Sequence, residues 1–455
     1  MKTYQDLEKI TNDSDLGEFC RVVVNDHKAS DKYRIAEIAT KYYQKHNVTI
    51  ENFQKVLYNM KGQAVPDLWS ANYRLKTLFF RRFVLQQVQY ILSNGVTFQQ
   101  ERTKDRLGKK FDNIMQEIAK QAMVCGICFG FWNNDHVEVF PFVDTPSSPG
   151  FAPIYDGETG QLRAGVRYWY VNNGNANMCH YKLYTEDGIT GFSEKNGDVV
   201  LTEPKIGYIA NVTTSRSGSN TVYENYSTLP IIPMWANDLH TSEIEGIRES
   251  IDCYDYIKSG LANDIDDTSG FYWVLKNTGG MDEVDLKKFV ERMKVVKAAT
   301  VDSDEGVSAE AHTLDIPTEA RETMLNRLKD DLYEDFQLIN VRDIKGGNQT
   351  ATAIRAMYQP QDDKCGDFEY CIIDFIYNLL DLLGIDDEPT FKWNRIANQA
   401  EETQMVLSAA QFLDDEHILK HLPWLTPEEV DEVLLNRDIE EVSRMMNQTE
   451  VIANE

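Results

Sequence analysis

The spacing of apolar residues changes along this chain, and each change predicts a different kind of element. Over residues 72–95, "NYRLKTLFFRRFVLQQVQYILSNG", apolar positions recur every three or four residues and end at a glycine, which predicts one helix with a glycine stop. "RLGKKFDNIMQEIAKQAM" (106–123) predicts a second amphipathic helix. From Gly126 to about Ala210 the period shortens. "HVEVFPFV", "VRYWYV" and "HYKLYT" are short β-type runs separated by Asn133-Asn134-Asp135, Asn172-Asn173-Gly174, Asp187-Gly188 and Asn196-Gly197. Those separators are hairpin signals, so an antiparallel meander is expected.

"STLPIIPMWAND" reads as an extended connector, and the helical period returns near Ser242. There Ser242 and Glu245 fit a capping box, each side chain satisfying the other's backbone donor. Ile244, Ile247, Ile251, Tyr254, Ile257, Leu261 and Ile265 carry the stripe on for about six turns. Asp252, Asp255, Asp264, Asp266 and Asp267 crowd the positions between them. Such a face is either simply solvated or lines something, and its spacing does not choose.

A small αβ insert follows: the strand "FYWVLKN", a turn at Gly279-Gly280, the helix "DEVDLKKFVERMKVV" and two strand-like runs ending near Asp315. Pro317 suits the first turn of a second long helix, where its missing donor costs nothing. Met324, Leu325, Leu328, Leu332, Phe336 and Ile339 share one side of that helix, and Arg321, Arg327 and Lys329 are its candidates for pairing with acids. "VRDIKGGNQT" is a polar break. The long apolar helix after it carries Pro360, placed to kink it. "PTFKWNR" is a strand, and acidic amphipathic helices close the chain.

Composition narrows the function. The 455 residues, 42% of them apolar, carry 46 bases against 73 acids, a net charge of -27. That balance argues against a protein that grips nucleic acid, which needs bases over its contact face. The start, "MKTYQDLEKITNDSD", lacks a basic segment followed by an apolar run, and the longest apolar stretch, "YCIIDFIYNLLDLLGI", is broken by Asp374 and Asp381 and falls short of the ~20 residues of a membrane span. No membrane association is expected.

Seven scattered cysteines give no disulfide framework, and the lone Cys125-x-x-Cys128 reads better as packing than as a metal or redox pair. His417 and His421 stand at i,i+4 without an evident third ligand. No P-loop, G-x-S-x-G or H-E-x-x-H pattern occurs. The expectation is no catalytic residue, no metal and no cofactor. A magnesium-dependent nuclease built on the aspartate cluster is the rival reading, though a metal site gathers carboxylates from several elements and these lie along one helix. An acidic scaffold or adaptor without a DNA role is the third.

Residues 229–267, "LPIIPMWANDLHTSEIEGIRESIDCYDYIKSGLANDIDD", resemble the portal proteins of long-tailed double-stranded DNA bacteriophages, in a P-x-x-P-x-x-N-like connector, an I-D-x-Y-D helix and an S-x-x-A-N-D-x-x-D run. "NYRLKTLFFRRFVLQQVQYILSNGVTF", "QAMVCGICFGFW" and "PIYDGETGQLRAGVRYW" resemble further family stretches in the same order. The resemblance implies an α+β portal fold. Its wing of helices and antiparallel strands would take residues 1–240 and 351–396, and its two-helix stem residues 241–267 and 317–339. A small αβ clip would take 268–316, a tunnel loop 340–350 and an α-helical crown 397–455.

It further implies a non-enzymatic ring, usually of twelve copies, in the virion at one capsid vertex, assembled in the host cytoplasm. Genomic DNA would be packaged and ejected through it. The implied partners are the terminase large subunit, a head-completion or tail adaptor, and the major capsid and scaffolding proteins. Arg342, Lys345, Gly346, Gly347, Asn348 and Gln349 would be the DNA-contacting tunnel loop. Glu245, Glu249, Asp252, Asp255 and Asp266 would line the tunnel. Duplex DNA carries one negative charge per ~1.7 Å, so an acidic wall would centre it by repulsion. A stem helix of about 24 residues would rise ~36 Å, close to one duplex turn.

Overall fold

The computed structural model describes residues 2–58, 63–67, 71–172, 177–195, 197–215, 218–267, 272–276, 308–312, 317–340, 342, 351–394, 399–410, 412–420, 422, 430 and 433–436. They form two compact units, Met1–Leu338 with Asp363–Trp393, and Ile339–Asp362 with Asn394–Glu455.

The first unit begins with helices α1 (Tyr4–Glu8), α2 (Asp13–Ala29), α3 (Asp31–Tyr43) and α4 (Val48–Asn52) and a short hairpin of β1 (Val56–Tyr58) and β2 (Ala64–Pro66). Helix α5 (Phe79–Leu92) leads through β3 (Val96–Phe98) and α6 (Glu101–Leu107) to α7 (Phe111–Cys125). In α7 the buried residues Phe111, Met115, Ile118, Ala119 and Ala122 keep one side inward at steps of three and four. Gly126, at φ 85, ends the helix in the left-handed region, and a Cβ there would sit 2.9 Å from the Thr241 carbonyl carbon.

The expected meander is present over residues 150–206, while "HVEVFPFV" belongs to a separate sheet. Strands β6 (Gly150–Tyr155), β7 (Leu162–Asn172), β8 (Asn177–Thr185), β9 (Gly188–Lys195) and β10 (Asp198–Ile206) form one antiparallel sheet in chain order. Asp187-Gly188 turns β8 into β9, with Gly188 at φ 132. Asn134, at φ 57, turns β4 (Ile127–Asn133) into β5 (His136–Pro141). Alternation sets the faces: Cys179, Tyr181 and Leu183 are buried with Phe19, Cys20, Val23 and Val24 of α2 in one cluster. On the opposite face Trp169 and His180, directly paired across the strands, stack with centroids 5.4 Å apart.

His27 of α2 is buried against Tyr33, Phe142 and Tyr168. Its Nε2–H donates to the Phe142 carbonyl at 2.9 Å, and Nδ1 has no partner. Burial lowers its pKa to about 4.

One reading changes here and one is kept. "STLPIIPMWAND" contains a strand, β13 (Ile231–Trp235), which pairs with β4 in a three-stranded sheet ordered β13-β4-β5; β11 (Ile209–Ser215) and β12 (Gly218–Glu224) form a separate hairpin before it. Cys125 and Cys128 are buried packing residues, with the Cys128 thiol facing backbone carbonyls of Phe129 and Phe140.

Helix α8 (Arg248–Asp267), the pair β14 (Tyr272–Lys276) with β15 (Ser308–His312), and helix α9 (Thr318–Asp335) follow. The insert helix expected around 282–296 lies outside the described residues. Helix α10 (Ala351–Leu383) continues through Pro360. Its later half buries Phe368, Ile372, Phe375, Ile376 and Leu379, and the Phe375 ring lies where a Cβ on Gly130 would meet it at 2.5 Å. The "PTFKWNR" strand is β16 (Pro389–Phe391), paired with β3. In the second unit the Ile339 N–H donates to the buried Gln361 amide oxygen at 3.2 Å, and α11 (Gln399–Ala409) and α12 (Asp415–Lys420) are its closing helices. His421 is outside the described residues. No helix among the described residues is long and apolar enough to cross a membrane.

Candidate functional site

The acidic helix α8 is the candidate channel element, and its neighbours decide which of its carboxylates are free to act. It has 20 residues and starts at Arg248, not Ser242. No capping box forms. The Ser242 hydroxyl donates to the Val124 carbonyl at 2.6 Å, and the Glu243 N–H donates to the Met123 carbonyl at 3.1 Å. Residues 242–247 are therefore held in turns against the end of α7.

One side of α8 is a polar ladder. Asp255, Ser259 and Asn263, at steps of four, accept from the backbone N–H groups of Thr77 (3.0 Å), Leu75 (2.9 Å) and Tyr73 (2.6 Å) respectively. The spacing works because two residues of extended chain advance ~6.6 Å while four residues of helix advance ~6.0 Å. Asn263 and Ser259 donate back to the carbonyls of Tyr73 and Leu75 at 3.4 Å each. Residues 72–78 consequently belong to no helix or strand, and the helix expected from Asn72 begins only at Phe79. Their backbone donors are satisfied sideways by α8 instead of along a helix axis.

This corrects one of the expected tunnel-lining residues. Asp255 is fully buried and takes a further hydrogen bond from the Asn47 amide at 2.9 Å, so it cannot line a bore. Burial raises its pKa, against the lowering effect of the hydrogen bonds from Asn47 and Thr77. Asp252 is half-buried and accepts from the Tyr42 hydroxyl and from the Thr49 hydroxyl (2.7 Å). Glu245, Glu249 and Asp266 are exposed. Asp264 pairs with Arg321 of α9, the one interhelical pair among the three expected bases that the described residues show; Arg327 instead meets Asp331 within its own helix at 3.9 Å.

The ladder went unseen in the sequence, although Asp255, Ser259 and Asn263 at i, i+4 and i+8 were its visible signal. Short polar acceptors in a row down one helix side mark a place where backbone can dock. Of the expected tunnel loop, Arg342 is exposed and its N–H donates to the Asn340 side chain at 3.3 Å. Lys345, Gly346, Gly347, Asn348 and Gln349 lie outside the described residues. Among the described residues, no group of three or more His, Cys, Asp or Glu is placed to hold a metal ion. The donors on Asp252 and Asp255 are neutral hydroxyl and amide groups, which fill the acceptor positions a nuclease reading would reserve for magnesium.

Comparison with known proteins adds to this geometry. A family model described as phage portal protein, SPP1 Gp6-like, matches residues 23–450. The portal protein of Clostridium phage phiCD119 is 24% identical over 430 residues, covering 89% of this chain and 92% of that protein. The portal protein of Bacillus phage SPP1 is 24% identical over 332 residues, 71% of this chain and 64% of that protein. Among solved structures, a chain from the neck of an empty GTA particle computed with C6 symmetry is similar at TM-score 0.42 and 11% identity, covering 75% of this chain and 88% of that one. A chain from the neck of the native GTA particle computed with C12 symmetry is similar at TM-score 0.41 and 12% identity, covering 76% and 89%.

Proposed function

We propose that this chain, which belongs to the phage portal protein family of the SPP1 Gp6-like type, closes with copies of itself into a ring at one capsid vertex through which double-stranded DNA is packaged and later ejected. The observation that carries this reading is the family match over residues 23–450, nearly the whole chain. In this reading residues 1–240 and 351–396 form the wing, 241–267 and 317–339 the stem, 268–316 the clip, 340–350 the tunnel loop and 397–455 the crown. The protein is a component of the virion. The clip docks the terminase motor during filling and a tail adaptor afterwards, and the wing meets the capsid shell.

The charge supports a conduit rather than a grip. A chain at -27 has no excess of bases with which to release counterions from a duplex. With Asp255 buried and Asp252 half-buried, the exposed acids among the five are Glu245, Glu249 and Asp266. Helix α8 spans ~30 Å at its 20 residues, close to a duplex turn. Lys345 and the amides of Asn348 and Gln349, beside two glycines that free the backbone, are the proposed moving contact on the duplex, with Arg342 at the base of that loop.

The test is the quaternary structure of the purified chain. Class averages from negative-stain micrographs, with the mass of the particle in solution, should show closed rings with a central opening. A species that stays monomeric or dimeric at every concentration and salt would end the proposal.

A further inference from the structure

A cleft of about 1110 Å³ in the first unit opens between the turns of residues 237–246, the end of α9 and the middle of α10. Asp238, Glu245, Asp335, Asp367 and Asp374 line it, and none of the five forms an ion pair with a described base. Glu243, also on the wall, is neutralised by Lys364 at 2.6 Å. Gln87 lies on the same wall, 1% exposed, and its side-chain oxygen has no hydrogen-bond donor. Carboxylates and an orphan amide oxygen accept, so a cationic donor is the occupant whose chemistry suits this wall. The acids do not converge on a point, and among the described residues none form a group able to hold a metal ion. An extended array of bases fits better than an ion does.

The chain carries such an array. Residues 102–110, "RTKDRLGKK", hold five bases against one acid. Arg102, Arg106, Lys109 and Lys110 are exposed, and none pairs with a described carboxylate. Lys104 is paired with Asp112 at 2.7 Å, and the Arg106 guanidinium donates to the Leu383 carbonyl at 3.2 Å. In a head-to-tail ring the two surfaces of a contact differ, so each copy must present one patch and receive the other.

We infer that the acidic cleft around Asp367 and Asp374 receives the basic segment Arg102–Lys110 of a second copy of this chain. The inference rests on the ring reading above and names the surfaces that close it. Leu239 and Tyr370, 75% and 69% exposed and both lining the cleft, are the apolar anchors of the contact, and the charges around them set its register and partner.

Charge exchange tests it on the full-length chain. Arg106→Glu with Lys109→Glu should raise the concentration for half-assembly at least tenfold, read by mass photometry. Asp367→Lys with Asp374→Lys should do the same, each variant keeping the wild-type circular dichroism spectrum. All four changes in one chain should restore assembly to within about threefold of wild type, because both signs are inverted together. If wild type forms rings and either two-site variant assembles as readily, the inference falls while the ring reading stands. If each two-site variant fails and the four-site chain is no better than either, complementarity is refuted. A wild type that never assembles overturns both.

Discussion

Helices α2 and α9 are nearly the same length, 17 and 18 residues, and their surroundings differ sharply. Six residues of α2 are buried, four of them against the sheet, whereas α9 buries only Leu328 and Leu332 and leaves Met324 42% exposed. Apolar burial contributes about 25 cal/mol per Å² removed from water, so the sheet region stabilises itself within one chain. The α8–α9 pair has little such burial. Its described contacts are largely polar: the ladder from α8 to residues 73–77 and the Asp264–Arg321 pair. The same chain thus contains a part held by apolar burial and a part held mainly by hydrogen bonds and an ion pair.

The largest break in that contrast should come from the sheet core. Phe151 is fully buried against Phe129 and Phe140, and its ring occupies the space left by Gly165, where a Cβ would approach to 2.0 Å. Phe151→Ala should cost about 3–5 kcal/mol in urea unfolding of the monomer, against less than ~0.5 kcal/mol for Met324→Ala. Equal losses would abolish the distinction between the two regions.

The next effect is pH-dependent and also belongs to the sheet. His27 has a folded pKa of about 4, below the ordinary ~6.5 of the unfolded chain. Its lowered value means that the unfolded state alone takes up the proton between those limits. Its contribution is therefore complete above about pH 6.5 and is lost as pH falls toward 4, by about 3 kcal/mol. Wild type should lose that much stability against His27→Gln over this window, and parallel pH profiles would refute the assignment. Asp255 acts in the opposite sense: its raised pKa favours the folded state most at low pH, and that advantage disappears as pH rises through the folded value.

The smallest effect separates the two sides of α8. Asp255→Ala leaves the Thr77 N–H and the Asn47 amide without their acceptor, at about 1–3 kcal/mol. Glu249→Ala, on the exposed side, should change stability by less than ~0.5 kcal/mol. Hydrogen exchange at the Thr77 amide should quicken only in the first variant. Unchanged protection there would remove the ladder from the account.

Where local chemistry settles the backbone, the residues alone were enough. The meander's β8–β9 turn follows from Asp187-Gly188, the β4–β5 hairpin from Asn134, and the stop after α5 from Gly95, at φ 75, because turn type and facing are short-range properties. The resemblance in residues 229–267 and its upstream stretches was also legible, and it pointed to the family that the match over residues 23–450 shows. The tertiary structure decided what depends on a distant acceptor. Residues 72–78 carry a helical pattern yet lie outside any helix because α8, some 180 residues later, takes the N–H groups of Tyr73, Leu75 and Thr77. Asp255 resembles its exposed acidic neighbours in sequence and is buried for the same reason. Periodicity reports which side of an element is apolar. Which polar side finds a partner is a long-range question, and only the packed chain answers it.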